Sequence, residues 1–268
     1  CEKMVYELAK KLNPQRYHVI VASLVGMGGY GEKLTQLHIP VVYLRMRGWW
    51  DMSVFSTLKK IITKNHIMII HSFLFHANLI GRVAARLFGL PCAISSVRTM
   101  EKGASWHLLC DRLTKSLVDF ELTNSENVRR FMIKKTGSSP DKIRTILNGV
   151  ERMPVLSHDE RQRVRSTFGA GATTCLIGTV GHLEYVKNHE LLIKCARRLK
   201  PKYPHVRWVI IGDGSRRRYL TRLMQRKDVA DVMCLGGFRD DAPRLIGAFD
   251  LFVLPSRWEG LPNVLLEA

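Results

Sequence analysis

The sequence predicts an α/β fold of two Rossmann-like doubly wound parallel-sheet domains facing a cleft, incomplete at both termini. Three observations predict it. Short β-branched runs recur through the 268 residues and alternate with segments of helical period. The runs are apolar throughout rather than alternating, as in strands covered on both faces. Glycine-led turns follow directly on the strands of the second half, where open parallel sheets bind their ligands.

The elements follow in order. Met4, Val5, Leu8 and Leu12 share one face of an opening helix. Strands are predicted at 19–24, 41–44, 67–71, 92–97, 120–124 and 143–147, and helices at 53–64, 77–89 and 125–136. The stretch 98–117 reads as a mixture of loop and helix. The pattern pauses at Met153-Pro154, resumes with a basic helix over 159–168 and turns at Gly169-Ala170-Gly171. Strands at 175–180, 206–211, 232–235 and 251–254 then alternate with helices at 188–200, 215–226 and 241–249. Residues 1–155 are read as the first domain and 156–268 as the second. Both ends of the chain fall inside helical or apolar pattern. A fragment is therefore expected, with the first strand of the first domain and the closing elements of the second outside it.

Composition narrows the function classes. A hydrophobic fraction of 46% is too high for a disordered chain. No apolar run approaches the roughly 18–20 residues of a spanning helix. The 42 basic and 23 acidic residues leave a net charge of +19, which favours anionic partners: a nucleotide, a nucleic acid or an acidic lipid surface. The basic runs 129–130, 134–135 and 216–218 sit in helical patterns and read as solvated faces. Six scattered cysteines with no C-x-x-C spacing are expected to be buried reduced thiols, which suits a cytoplasmic protein. With no Asp-x-Asp pair, neither a metal nor another cofactor is predicted.

Residues just after the strands carry the chemistry. Gly181 and His182 open the turn that leads to Lys187, a lysine close to a helix start and placed to reach an anion over the sheet edge. Gly212-Asp213-Gly214 makes a tight turn, with Asp213 read as part of the turn. Gly236, Gly237 and Phe238 offer a flat surface for a base, and Asp240 or Asp241 is read as a helix N-cap. The last turn is the most informative: Arg257, Trp258, Glu259, Gly260, Leu261, Pro262, Asn263, Val264 and, in the next helix, Glu267. On one unbroken helix, two carboxylates eight residues apart would lie about 80° out of alignment. With Glu259 in a loop before a helix opened by Pro262, both can meet one ligand, and the amides of 260–264 can meet a phosphate. Hydroxyl acceptors on either side of a phosphate site suit a sugar nucleotide.

The stretch 255–268 closely resembles the Glu-x7-Glu signature of glycosyltransferase family 4, retaining enzymes of the GT-B fold. Residues 181–188 look like its phosphate loop, and Asn148-Gly149-Val150 resembles the element that ends its first domain. The resemblance implies transfer of a sugar from an NDP-sugar, UDP by default, to a glycan or lipid-linked acceptor in envelope or polysaccharide synthesis. The NDP-sugar is a substrate, not a cofactor. By matched position, Glu259 contacts the donor sugar, Glu267 the ribose and Lys187 the diphosphate, making Glu259 and Lys187 the catalytic pair. His182 stands where the family often has arginine, and Arg257 is the substitute candidate. Arg98 stands near the place of a family histidine, and Glu151 replaces an aspartate. His71, His76 and Arg98 are the acceptor-side candidates, with Arg45-Met46-Arg47-Gly48-Trp49-Trp50 as a groove or headgroup contact. The expected location is the cytoplasm, with peripheral contact at the anionic inner face of the membrane. The competing readings are a nucleic-acid-binding protein, for which no reading module is found, and an epimerase or phosphorylase of the same fold. The missing flanking elements leave the activity of the chain by itself open.

Overall fold

The computed structural model describes residues 1–26, 28–48, 51–100, 105–152 and 154–268. They form two compact units, Cys1–Asn148 and Gly149–Ala268.

The first unit runs α1 (Glu2–Lys11), β1 (Val21–Ser23), α2 (Gly28–Gln36), β2 (Val41–Tyr43), α3 (Ser53–Lys64), β3 (Ile69–Phe73), α4 (Phe75–Leu87), β4 (Cys92–Val97), α5 (Ser105–Thr114), β5 (Phe120–Thr123), α6 (Glu126–Thr136) and β6 (Ile143–Thr145). Strands β1 and β2 pair in parallel, and β3-β4-β5-β6 form a four-stranded parallel sheet in that order. Arg82 of α4 lies 1% exposed at the centre of this unit. It donates to Asp111 at 2.8 Å, to Glu121 at 2.9 Å, and to the hydroxyls of Ser95 and Thr114. These bonds offset the desolvation of a buried charge.

The second unit runs α7 (His158–Thr167), β7 (Cys175–Val180), α8 (His189–Leu199), β8 (Val206–Ile211), α9 (Arg217–Arg226), β9 (Met233–Gly237), α10 (Ala242–Ile246), β10 (Leu251–Phe252) and α11 (Asn263–Glu267). Its parallel sheet has the order β10-β7-β8-β9. Alternate residues feed two cores. Ile177, Trp208 and Ile210 join Leu192, Ile193 and Leu220 on one face. Leu176, Val209 and Ile211 join Leu245, Ile246 and Phe249 on the other. Each such side chain contributes about 1.5–3 kcal/mol on full burial. Arg165 ties α7 to this unit through Asp250 at 2.8 Å and the carbonyls of Ala248, Gly171 and Thr174.

Several boundaries differ from the sequence reading. The chain leaves α3 through His66 at φ 50°, and the Ile67 amide bonds back to Ile62, so β3 starts at Ile69. Helix α4 begins at Phe75 rather than 77. Helix α10 stops at Ile246, and Phe249 then swings over Gly178, where an added Cβ would lie 2.2 Å from its ring. Three glycines hid α2, yet Leu34 and Tyr30 pack on Val21 and Ala9. The cysteines are free thiols as expected, but not buried as expected: Cys1 is exposed and the others are partly exposed, with Cys175, Cys195 and Cys234 packed against the cores of the second unit. Nor are the basic runs simply solvated, since Arg216 pairs with Glu190 at 2.6 Å and Arg129 reaches the carbonyl of Ile143. Among the described residues no helix is long and apolar enough to cross a membrane.

Candidate functional site

Three turns at the carboxyl ends of β7, β8 and β9 are stitched together by backbone. The Gly181 amide donates to Ile211 at 2.9 Å, the Gly212 amide to Gly237 at 2.8 Å, and the Leu183 amide to Asp213 at 3.0 Å. Gly212 has φ 139°, and a Cβ there would stand 2.0 Å from the Gly181 carbonyl oxygen. Gly212 is therefore needed for close approach of two strand ends. Asp213 serves the turn, accepting from the Gly214 amide at 2.8 Å and pairing with Arg217 at 3.3 Å. Leu183, fully buried, pins the 181–188 loop to the core, while His182 beside it is exposed.

The loop after β10 is strapped to the loop after β7. The Arg257 amide donates to Val186 at 2.8 Å, and the Asn188 side chain donates to the Pro255 carbonyl at 3.1 Å. Asn188 itself sits at φ 53°. This strap brings Lys187, at the end of a short 3-10 turn, onto Glu259 from the Glu-x7-Glu stretch. Lys187 Nζ donates to Glu259 Oε1 at 2.6 Å, with side chains 18% and 26% exposed. The lysine stem runs over Gly181, 3.4 Å from where a Cβ would stand. His189, at the start of α8, is buried, and burial pushes its pKa down to about 4. Its Nδ1 lies 3.3 Å from the Lys187 carbonyl, and its Nε2 is buried without a partner.

The remaining predicted residues fall around this pair. Arg257 is exposed, with its guanidinium 4.2 Å from the centre of the Tyr185 ring. Phe238 is 68% exposed just beyond β9, after Gly236 and after Gly237 at φ 71°. Asp241 takes the N-cap position of α10, but its carboxylate is bonded to Arg239 instead of to the helix. Gly260 and Leu261 lie in the partly buried loop before α11, and Pro262 occupies its N-cap position. Helix α11 has five residues, so its dipole is that of little more than one turn. Asn263 opens it, Val264 packs on the second core, and Glu267 lies at its end, half-buried. Sequence reasoning missed Tyr185 and Arg216 as parts of this rim. Arg216 lies 5.5 Å from the Tyr185 ring centre, and Trp258 lies 6.2 Å from it, ring to ring. The signal was an aromatic beside a basic residue in adjoining post-strand turns.

In the first unit, His71 lies in the middle of β3 instead of flanking its end, because the strand runs two residues further than predicted. Its Nε2 meets Ser96 Oγ at 2.8 Å and its ring stacks on Phe73 at 4.3 Å. Burial and then the Arg98 charge push its pKa down to about 4. His76 is the second residue of α4, against the rings of Phe75, Trp106 and His107. Arg98 follows β4 and bonds the Asn148 side chain. Of the 45–50 segment, Trp49 and Trp50 lie outside the described residues.

Residues 1–152 match the family model described as Glycosyltransferase Family 4. The chain belongs to glycosyltransferase family 4. Residues 160–268 match a second model, Glycosyl transferases group 1. This family 4 chain is 29% identical, over 81% of its length and 59% of the relative's, to the Escherichia coli UDP-Gal:alpha-D-GlcNAc-diphosphoundecaprenol alpha-1,3-galactosyltransferase. It is 26% identical, over 73% of its length and 53% of the relative's, to the Campylobacter jejuni N-acetylgalactosamine-N,N'-diacetylbacillosaminyl-diphospho-undecaprenol 4-alpha-N-acetylgalactosaminyltransferase. The chain thus spans between half and three fifths of the length of these relatives. Anabaena HepE, solved with UDP and glucose, superposes with a TM-score of 0.84 at 20% identity, covering 100% of this chain and 74% of that one. That likeness establishes the GT-B fold. The comparisons favour transfer over the nucleic-acid, epimerase and phosphorylase readings. Among the described residues no group of three or more His, Cys, Asp or Glu side chains is placed to hold a metal ion.

Proposed function

We propose that the protein transfers a sugar, with retention of configuration, from a UDP-sugar to a lipid-linked or glycan acceptor in envelope or polysaccharide synthesis. The observation that carries this reading is the Lys187–Glu259 pair, held at 2.6 Å by the strap between two post-strand loops. A carboxylate and an ammonium side by side suit the junction of a hydroxyl-bearing ring and a diphosphate. Glu259 accepts hydrogen bonds from the donor sugar, and Lys187 stabilises the charge that develops on the leaving diphosphate. Glu267 accepts from the ribose hydroxyls, and Phe238 and Gly236 border the base. Arg257 takes the phosphate contact in place of the exposed His182, and the 260–264 backbone borders the sugar and phosphate. With Glu259 engaged by Lys187, the leaving phosphate takes the acceptor proton on the same face. The ammonium supplies the positive charge, so UDP affinity is expected to be unchanged by EDTA.

Calorimetric titration of the intact protein with UDP tests the site. Lys187→Ala and Glu267→Ala are each expected to weaken binding about 10-fold or more; unchanged affinity in both removes the site. Peripheral contact with an anionic bilayer is part of the proposal. It is supported by the net charge of +19 and by α5, whose Trp106, Leu109 and Leu113 are 53%, 56% and 70% exposed on one face. Co-sedimentation with phosphatidylglycerol vesicles, lost in Trp106→Ser/Leu113→Ser, is the expected outcome. Transfer on the cytoplasmic face of the membrane is the setting that fits a nucleotide donor.

A further inference from the structure

We infer that Arg98 binds a phosphate of the acceptor, so that the acceptor is a phosphate or diphosphate ester rather than a neutral glycan. This deepens the transferase reading and rests on it. Arg98 stands at the carboxyl end of β4, partly buried. Among the described residues its guanidinium bonds the amide oxygen of Asn148 and pairs with no carboxylate. Its backbone carbonyl is held by Asn124 at 3.0 Å. Among the described residues, Asp111, which lines the same small cavity, and Glu121 both pair with Arg82. His71, which feels the Arg98 charge, is held neutral. Burial lowers the pKa of Arg98, yet a guanidinium stays protonated at neutral pH. A partly desolvated cation without a counter-ion is costly, and an arriving anion recovers that cost. The planar fork of arginine fits two phosphate oxygens at once.

A second observation gives the anion a carrier. The cavity beside Arg98 is also lined by His107 and Leu108 of α5. The other face of the same helix carries the exposed Trp106, Leu109 and Leu113. The helix that lines the cavity beside Arg98 therefore carries an apolar stripe on its other face, matching a phosphate ester on a hydrocarbon chain.

The test is steady-state transfer by the intact protein with three acceptors carrying the same sugar: a polyprenyl diphosphate, a short-alkyl diphosphate and an alkyl glycoside without phosphate. Arg98→Gln is expected to raise KM for both diphosphates about 10- to 100-fold, to leave the glycoside unaffected and to leave UDP affinity unchanged. Arg98→Lys, which keeps charge but loses the fork, is expected to fall between. A polyprenyl preference in the wild type assigns the lipid carrier; equal use of the two diphosphates assigns a soluble phosphate ester. Unchanged diphosphate KM in Arg98→Gln, with UDP binding and transfer intact, overturns the inference. Should that variant not fold, the wild type decides alone: equal KM for diphosphate and glycoside overturns it, and a lower diphosphate KM supports it. Failure of the wild type to bind UDP overturns the donor reading instead.

Discussion

The two units place a cation at the carboxyl end of a central strand and treat it in opposite ways. In the second unit Lys187 closes on Glu259 at 2.6 Å. In the first, Arg98 bonds the amide oxygen of Asn148 and, among the described residues, no carboxylate. The difference lies in the loops. The second unit straps two loops 72 residues apart in sequence, delivering a carboxylate to the lysine. The first spends its nearby carboxylates deeper, on Arg82. A paired cation is ordered before any ligand arrives; an unpaired one keeps its attraction for an incoming anion.

Four experiments sharpen or break this contrast, the largest first. Arg82→Met leaves Glu121 buried without its counter-charge and is expected to cost the first unit about 3–5 kcal/mol in urea unfolding. A small loss would mean that the carboxylates are free to serve Arg98. Lys187→Ala is expected to lower kcat about 10²- to 10³-fold, against a smaller change for Arg257→Ala, in assays with a UDP-sugar donor. Equal losses would mean that the ion pair is a structural clamp only.

Each unit also holds a histidine neutral, His71 in one and His189 in the other, both with pKa pushed down to about 4. In the unfolded chain they titrate near 6.5 and so bind more protons below that value than the folded chain does. The stability they contribute is present above pH 6.5 and is lost as the pH falls towards 4, up to about 3 kcal/mol for each. His71→Asn and His189→Asn are expected to flatten that acid slope, His189 more because its Nε2 is wholly buried. Equal slopes in wild type and variants would break this part of the comparison. The smallest effect compares caps. Ser125 accepts from the Val128 amide at 3.3 Å, while Ser157 shares a reciprocal box with Glu160. Alanine at either is expected to cost about 1 kcal/mol, more at Ser157, read from Tm.

Much of the candidate site in the second unit was legible because post-strand position is a local property. The strands 175–180 and 206–211 stand where the apolar runs put them, and Lys187, Glu259 and Phe238 lie in the turns beyond. The first unit was less so. His71 was misplaced because β3 starts at Ile69, after the left-handed His66, and runs on to Phe73, a shift that apolar period does not reveal. Tyr185 and Arg216 were missed because their partnership exists only once two turns are folded side by side.

The sequence by itself determined the parallel α/β architecture, the two-part organisation and the residue types offered at each strand end, because apolar period and glycine turns act over a few residues. Only the tertiary structure decided which charges meet. Lys187 finds Glu259, Arg82 takes Asp111 and Glu121, and Arg98 meets, among the described residues, the amide of Asn148. Side-chain pairing across tens of residues depends on loop paths and burial, and those are set by the packed whole rather than by any local stretch.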